Sequence, residues 1–226
     1  MDAGDHAAPR VRVHNFSVSL DGFGTGEGQS LEAPFGHAGH RLMEWALATR
    51  TFQEMGLHGK QRPTVGVDEA FASRWNTGVG VEIMGRHKFE PTRGAPDEKW
   101  RGWWGEDPPF HTPVVVLTHH PRPVMEMDGG TSFHFLDASP AEALDYARGL
   151  AEGGDVRLGG GATTIRQFLA ADLVDEMHVV VVPILLGRGE SLWAGPEGLE
   201  GLEERFHIES TPSPSGVTHL SFWRDR

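Results

Sequence analysis

The chain has no cysteine in its 226 residues, which excludes disulfide cross-links, thiolate metal ligands and cysteine nucleophiles together. It is also short of positive charge, with 20 lysines and arginines against 32 acids and a formal net charge of −12. A phosphate backbone would find no basic stripe to lie on, so nucleic acid is not an expected partner. Nor is there a run of the roughly 20 apolar residues that a membrane helix needs, and MDAGDHAAPR carries no hydrophobic signal core. These absences predict a soluble cytoplasmic protein without membrane contact. No metal is expected: the adjacent His119 and His120 would point to opposite sides of an extended chain, and the 13 histidines are scattered, most of them reading as surface or capping residues.

What is present is ordinary globular material, 38% apolar and 23% charged, enough for one buried α/β core. Residues 1–10 are small and polar and are expected to fray; residues 11–226 read as one domain. Val11 to Leu20 is rich in β-branched residues and predicts a strand that ends at the Asp21-Gly22 turn. Gly24 to Gly39 reads as a glycine-rich loop, and Leu42, Trp45, Ala46, Thr49 and Phe52 then recur at helical spacing. A short helix over Asp68 to Trp75 and a strand over Gly80 to Met84 follow. Pro91 to Pro109 is irregular and carries Trp100, Trp103 and Trp104, which would either stack on a planar heterocycle or pack within the protein or an interface.

Pro113 to Thr118 is a continuous apolar run, the pattern of a strand buried on both faces. Thr131 to Leu136 predicts another strand, Ser139-Pro140 starts a helix, and Asp155 to Leu158 resumes as strand, which together make a βαβ unit with parallel strands. A helix from Ala162 to Leu173, a buried strand from Glu176 to Leu186, and a hairpin of Phe206 to Glu209 with Val217 to Trp223 complete the reading.

Gly159, Gly160 and Gly161 stand between a predicted strand and a predicted helix. Glycines there let a phosphate oxygen reach the backbone, while the first-turn N–H groups and about half a positive charge of helix dipole favour an anion. Thr163 and Thr164 can add hydroxyls. The alternative is a tight turn whose glycines supply only positive φ; the spacing is not the dinucleotide fingerprint of a Rossmann fold.

Four stretches, SLDGF (Ser19 to Phe23), MGRHKFE (Met84 to Glu90), PVVVLTHHPRP (Pro113 to Pro123) and VRLGGGATTIRQFLAADLVDEMHVVVVPILLGRG (Val156 to Gly189), resemble the dihydrofolate reductase-like family. The likeness is specifically to the reductase domain of the bifunctional riboflavin-biosynthesis deaminase-reductase and its stand-alone relatives, and it runs from Val13 onward. It implies a three-layer α/β fold with a mixed, mainly parallel sheet and a C-terminal antiparallel hairpin, NADPH across the carboxyl edge of the sheet, and a homodimer.

Carried over by position, the resemblance puts Gly159, Gly160, Gly161, Ala162 and Thr163 at the cofactor diphosphate. Gly85 and Arg86 would lie beside the phosphates, and Thr118, His119 and Arg122 would bind the adenosine 2′-phosphate and so favour NADPH over NADH. Asp21 would lie near the nicotinamide and is the candidate for assisting proton transfer, with an ordinary Asp-Gly turn as its alternative. Glu44 is the candidate for the carboxylate that folate-reducing members carry on the first helix.

There are departures. The zinc signature of the deaminase half cannot exist without cysteine, and the arginine-rich grip on a ribosyl phosphate is missing, with His37, His40 and Arg41 as possible stand-ins. The aspartate-proline pair of the deaminase-reductases has only an echo in Glu106-Asp107-Pro108. The expectation is therefore an NADPH-dependent reductase of a C=N-type bond in a pterin, pyrimidine or related heterocycle. A true dihydrofolate reductase and a non-catalytic NADPH-binding module are the alternatives.

Overall fold

A computed structural model describes residues 9–56, 62–91, 97–195 and 199–224. Residues 1–8 of the expected frayed terminus and residues 92–96 of the irregular segment lie outside them. Eleven strands occur among the described residues: β1 (Val11–Ser19), β2 (Phe23–Gly26), β3 (Val79–Gly85), β4 (Pro113–Leu117), β5 (Met125–Glu126), β6 (Ser132–Leu136), β7 (Asp155–Gly160), β8 (Glu176–Val182), β9 (Gly189–Ser191), β10 (His207–Pro212) and β11 (Thr218–Trp223). The helices are α1 (Glu44–Leu47), α2 (Arg50–Glu54), α3 (Val67–Ala72), α4 (Arg86–Phe89), α5 (Pro140–Leu150), α6 (Ala162–Ala170) and α7 (Leu202–Arg205), with a 3₁₀ segment at Gly36–Leu42.

Nine strands form one sheet in the order β10-β11-β8-β1-β7-β3-β4-β6-β5, and β2 pairs with β9 beside it. The six central strands, β8 to β6, are parallel, so their carboxyl ends share one edge. The C-terminal hairpin β10-β11 adds antiparallel to β8, and β5 closes the other edge antiparallel to β6. The mixed, mainly parallel sheet and terminal hairpin are those expected from the sequence.

Side-chain alternation divides the core into layers. Val81 and Ile83 of β3, Val156 and Leu158 of β7 and Met177 and Val179 of β8 face α5 and α6, where Ala143, Leu144, Ile165, Phe168 and Leu169 pack. On the opposite face, Val180 and Val182 meet α1 to α3 through Trp45, Ala46 and Ala72. Farther along that face Met84, Val114 and Val116 meet Phe89, Phe110 and Phe133. The run at 114–116 is apolar throughout because helices or loops cover both of its faces. Burying each such side chain contributes about 1.5–3 kcal/mol. α5 starts as expected: Ser139 accepts from Glu142 N, the Glu142 carboxylate reaches back to Ser139, and Pro140 fills the first turn.

Several elements differ from the sequence reading: β2 and the 3₁₀ segment fall within or across the expected Gly24–Gly39 loop, β5, β9, α4 and α7 were not expected, and α6 ends at Ala170 rather than Leu173. The expected helix from Leu42 to Phe52 is broken, because the Thr49 hydroxyl donates to Ala46 O at 2.5 Å, closing α1, and accepts from Phe52 N, capping α2. β8 stops at Val182 rather than Leu186, since Pro183 has no N–H for the ladder. β7 runs through Gly159 and Gly160, so only Gly161 links strand to helix.

Candidate functional site

The strand-to-helix corner lies at the carboxyl edge of the parallel sheet, between the ends of β1 and β3, where open α/β sheets take ligands. Its glycines have separate local reasons. Gly160 has φ +107°, and a Cβ there would stand 3.1 Å from the Phe16 ring. Gly159 leaves room on the opposite face for Glu82 and Lys88. Gly161 is different: its φ of −74° suits any residue, and a Cβ on it would meet no heavy atom within 4 Å. It is the N-cap of α6, yet no side chain caps that helix. No side chain competes for the first-turn N–H groups at this cap, and the space beside Gly161 is open, which fits an anion such as a diphosphate. Ala162 is buried beneath this turn and Thr163 is exposed at its lip, where its hydroxyl lies 3.4 Å from Glu190 Oε2 and accepts from Arg166 at 3.2 Å.

Gly85 ends β3 against the same corner: a Cβ there would strike the Thr164 hydroxyl and lie 3.9 Å from Gly161 N. Arg86 follows at the head of α4, half-buried. Thr118 lies one strand farther out, its N–H on Leu136 O at 2.8 Å and its hydroxyl accepting from His120 N at 3.1 Å. His119 stands exposed beside it, 2.9 Å from Asp137 Oδ1. The structure thus brings Gly85, Arg86, Thr118, His119, Gly160, Gly161, Ala162 and Thr163 to one edge.

Other expected residues are otherwise engaged. Arg122 donates to the carbonyls of Asp97, Glu98 and Trp100 at 3.4, 3.1 and 2.9 Å and lies 4.2 Å over the Phe135 ring. It fastens the 97–100 loop. Asp21 accepts from the Ser19 hydroxyl at 2.6 Å, from Gly187 N at 2.6 Å and from Leu186 N at 3.1 Å. The Ser19 bond foremost, with those from the backbone, holds its carboxyl down to about 2. A carboxylate so firmly ionised suits pinning the β1 turn to the loop after β8 better than giving up a proton.

Glu44 is exposed; the residue that α1 turns toward β1 is Trp45, whose Nε1 donates to Ser17 Oγ at 2.8 Å. His37 accepts from Glu27 N and Arg41 donates to Ala38 O and His37 O, so both brace the 3₁₀ segment, while His40 is exposed. The indoles of Trp100 and Trp103 donate to the carbonyls of Phe89 and Lys88 at the end of α4, and Trp104 packs on Phe110 and Phe133. Within the chain, these tryptophans are packing. Pro108 O accepts from Thr131, just before β6, so Glu106-Asp107-Pro108 lies at the amino edge, away from the corner.

Two clusters were not anticipated. Glu82, 1% exposed, is held between Arg157 at 2.5 Å and Lys88 at 2.7 Å. His14, His178 and His219 are buried, against the expectation of surface or capping histidines. Both clusters join residues distant in sequence, and only strand register reveals them. Among the described residues no group of three His, Asp or Glu side chains is placed to hold a metal, and no helix is long and apolar enough to cross a membrane.

Comparisons with known proteins bear on this geometry. The family described as the RibD C-terminal domain matches residues 10–211. A protein from Shewanella sp. PV-4 assigned to riboflavin biosynthesis superposes with a TM-score of 0.57 at 22% identity, over 96% of this chain and 99% of that one. The Thermotoga maritima diaminohydroxyphosphoribosylaminopyrimidine deaminase/5-amino-6-(5-phosphoribosylamino)uracil reductase gives 0.53 at 14% identity, over 96% of this chain and 57% of its own. Dihydrofolate reductase from Enterococcus faecalis, solved with NADP(H), gives 0.50 at 12% identity, over 96% and 97%. At these identities the structural likeness is one of fold. No curated protein matches the chain by sequence.

Proposed function

The chain belongs to the RibD C-terminal domain family, and on that premise we propose that it is an NADPH-dependent reductase of a C=N-type bond in a pterin, pyrimidine or related heterocycle. Reduction of a 5-amino-6-(5-phosphoribosylamino)uracil-like pyrimidine is the nearest specific form. The observation that carries the reading is the uncapped, open amino terminus of α6 behind Gly161, at the carboxyl edge of the sheet.

When bound, NADPH supplies the hydride. The chain supplies the rest. Gly161 and the N–H groups of Ala162 and Thr163 receive the diphosphate, and Gly85 admits it from the neighbouring strand. Arg86 offers a fork for phosphate oxygens, and Thr118 and His119 provide donors to a 2′-phosphate on the rim. Asp21 keeps the β1 turn closed over its end of the edge, and the proton comes from water. Glu44, the candidate for the carboxylate of folate-reducing members, is exposed on α1, which favours a substrate other than dihydrofolate. A cytoplasmic homodimer is part of the same reading, and sedimentation equilibrium reads the assembly.

The test is NADPH and NADH titration followed by NADPH oxidation with a panel of pyrimidines and pterins. Preferential binding of NADPH and turnover of a pyrimidine support the proposal. Failure to bind either dinucleotide overturns it; binding without turnover of any compound leaves a non-catalytic module instead.

A further inference from the structure

β1 contains one extra residue. Val13 pairs with Met177 and Phe16 with Val179, so three steps on β1 oppose two on β8. The bulge centres on Asn15, whose φ of +55° is one that a non-glycine residue rarely adopts. Its backbone N–H, turned out of the ladder, donates to His178 Nδ1 at 3.2 Å. His178 Nε2 lies 3.0 Å from His219 Nδ1, and His219 Nε2 lies 2.9 Å from Asp68 Oδ1.

With the Asn15 N–H as donor at one end and the Asp68 carboxylate as acceptor at the other, the assignment that satisfies this relay puts one proton on each imidazole, at Nε2, and leaves both rings neutral. Phe71 lies flat over both rings, with centroids at 4.5 and 4.3 Å. Burial first, and then the cost of adding a positive charge beside His219, His14 and Arg74, press His178 well below its ordinary 6.5. The groups facing it are His14 and Asn15 on β1, Glu176 on its own strand, His219 on β11, Asp68 and Phe71 on α3, Arg74 in the turn after α3, and Trp45 on α1. A cleft of about 270 Å³ at the amino edge, between Arg10, Arg74 and Trp223, reaches His14 and His178.

The bulge decides where Phe16 points. Directly after it, the Phe16 ring crosses to the α6 face and fills the space left by two absent side chains: a Cβ on Gly24 would lie 2.7 Å from it and one on Gly160 3.1 Å from it. The ring wedges between the strand that follows the β1 turn and the glycine corner. We propose that His178 is a positioning residue for that corner: neutral, it anchors the Asn15 bulge and thereby holds Phe16 against Gly160. A proton added at Nδ1 would displace the Asn15 N–H and find Asn15 Oδ1, 3.1 Å away, as its acceptor. Protonation exchanges a bond to the bulge's backbone for one to its side chain and loosens the wedge.

In its effect on cofactor this inference rests on the proposed function, so its test has a part that needs no cofactor. In the intact protein, the amide resonances of Asn15, Phe16, Gly160 and Gly161 are followed by NMR as the pH falls below 6.5. They are expected to move together in the wild type and to stay still in His178→Asn, whose Oδ1 accepts the Asn15 N–H without titrating. NADPH affinity, measured by calorimetry, should weaken by up to about tenfold per pH unit through the titration in the wild type and remain flat in His178→Asn. His178→Leu, checked for folding, should bind weakly at every pH. Glycine amides that ignore the Asn15 titration, or a folded His178→Leu with wild-type affinity, overturn the inference. Amides that move together in a protein unable to bind NADPH uphold the positioning link and overturn the cofactor reading alone.

Discussion

Asp21 takes hydrogen bonds from Ser19, Leu186 and Gly187, and the sum of these donors holds its carboxyl below 3.8, at about 2. A group depressed in this way contributes stability that is present above its unfolded value and is lost as pH falls through its folded one. Asp21→Asn should therefore lower the melting temperature at neutral pH, and its gap to wild type should close as the pH falls from 3.8 to about 2. A gap that persists unchanged to the acid end would show that the lost stability comes from some other contact. The pair Asp21-Gly22 was legible as a turn, but the partners at 186 and 187 were not, because they lie across the sheet edge. Arg122 shows the same limit: a loop arginine offers donors to a phosphate in sequence, but the 97–100 carbonyls reach it first.

At the scale of elements, β3, β7 and α4 are joined by charge as well as by packing. Glu82 lies on β3 between Arg157 of β7 and Lys88 of α4, and the Arg157 guanidinium lies 4.9 Å over the Trp75 ring. Burial lowers the Lys88 ammonium from its ordinary value, partly offset by Glu82. Removing the shared carboxylate leaves the Lys88 and Arg157 cations without their counter-charge in a largely buried layer, so Glu82→Ala should destabilise by about 3–5 kcal/mol in urea unfolding. Lys88→Met, which keeps the Glu82–Arg157 pair, should cost less. Equal costs for the two would show that the cluster contributes through volume rather than charge. Strand and helix types were readable here from apolar runs and the Ser139 cap. The cluster was not, because alternation says which face Glu82 takes but not which side chains of other strands meet it there.

Across the whole molecule, three buried histidines join strands that are far apart in the chain, His14 on β1, His178 on β8 and His219 on β11. All three are lowered from 6.5 by burial first. The unfolded chain then binds protons that the fold refuses, so stability should fall as pH drops below 6.5, and His178→Asn should flatten part of that slope in denaturant titrations. A stability constant down to the carboxylate range would contradict the assignment. No local pattern announces such a cluster, whereas the glycine corner was legible from sequence because glycine's lack of a side chain is itself the signal. The whole account turns on that corner receiving an anion. Gly161→Val places a side chain where no protein atom lies within 4 Å, at a φ that valine accepts, so the fold should stand while calorimetric NADPH affinity falls by about a hundredfold or more. A stably folded Gly161→Val protein that binds NADPH as the wild type does would contradict it.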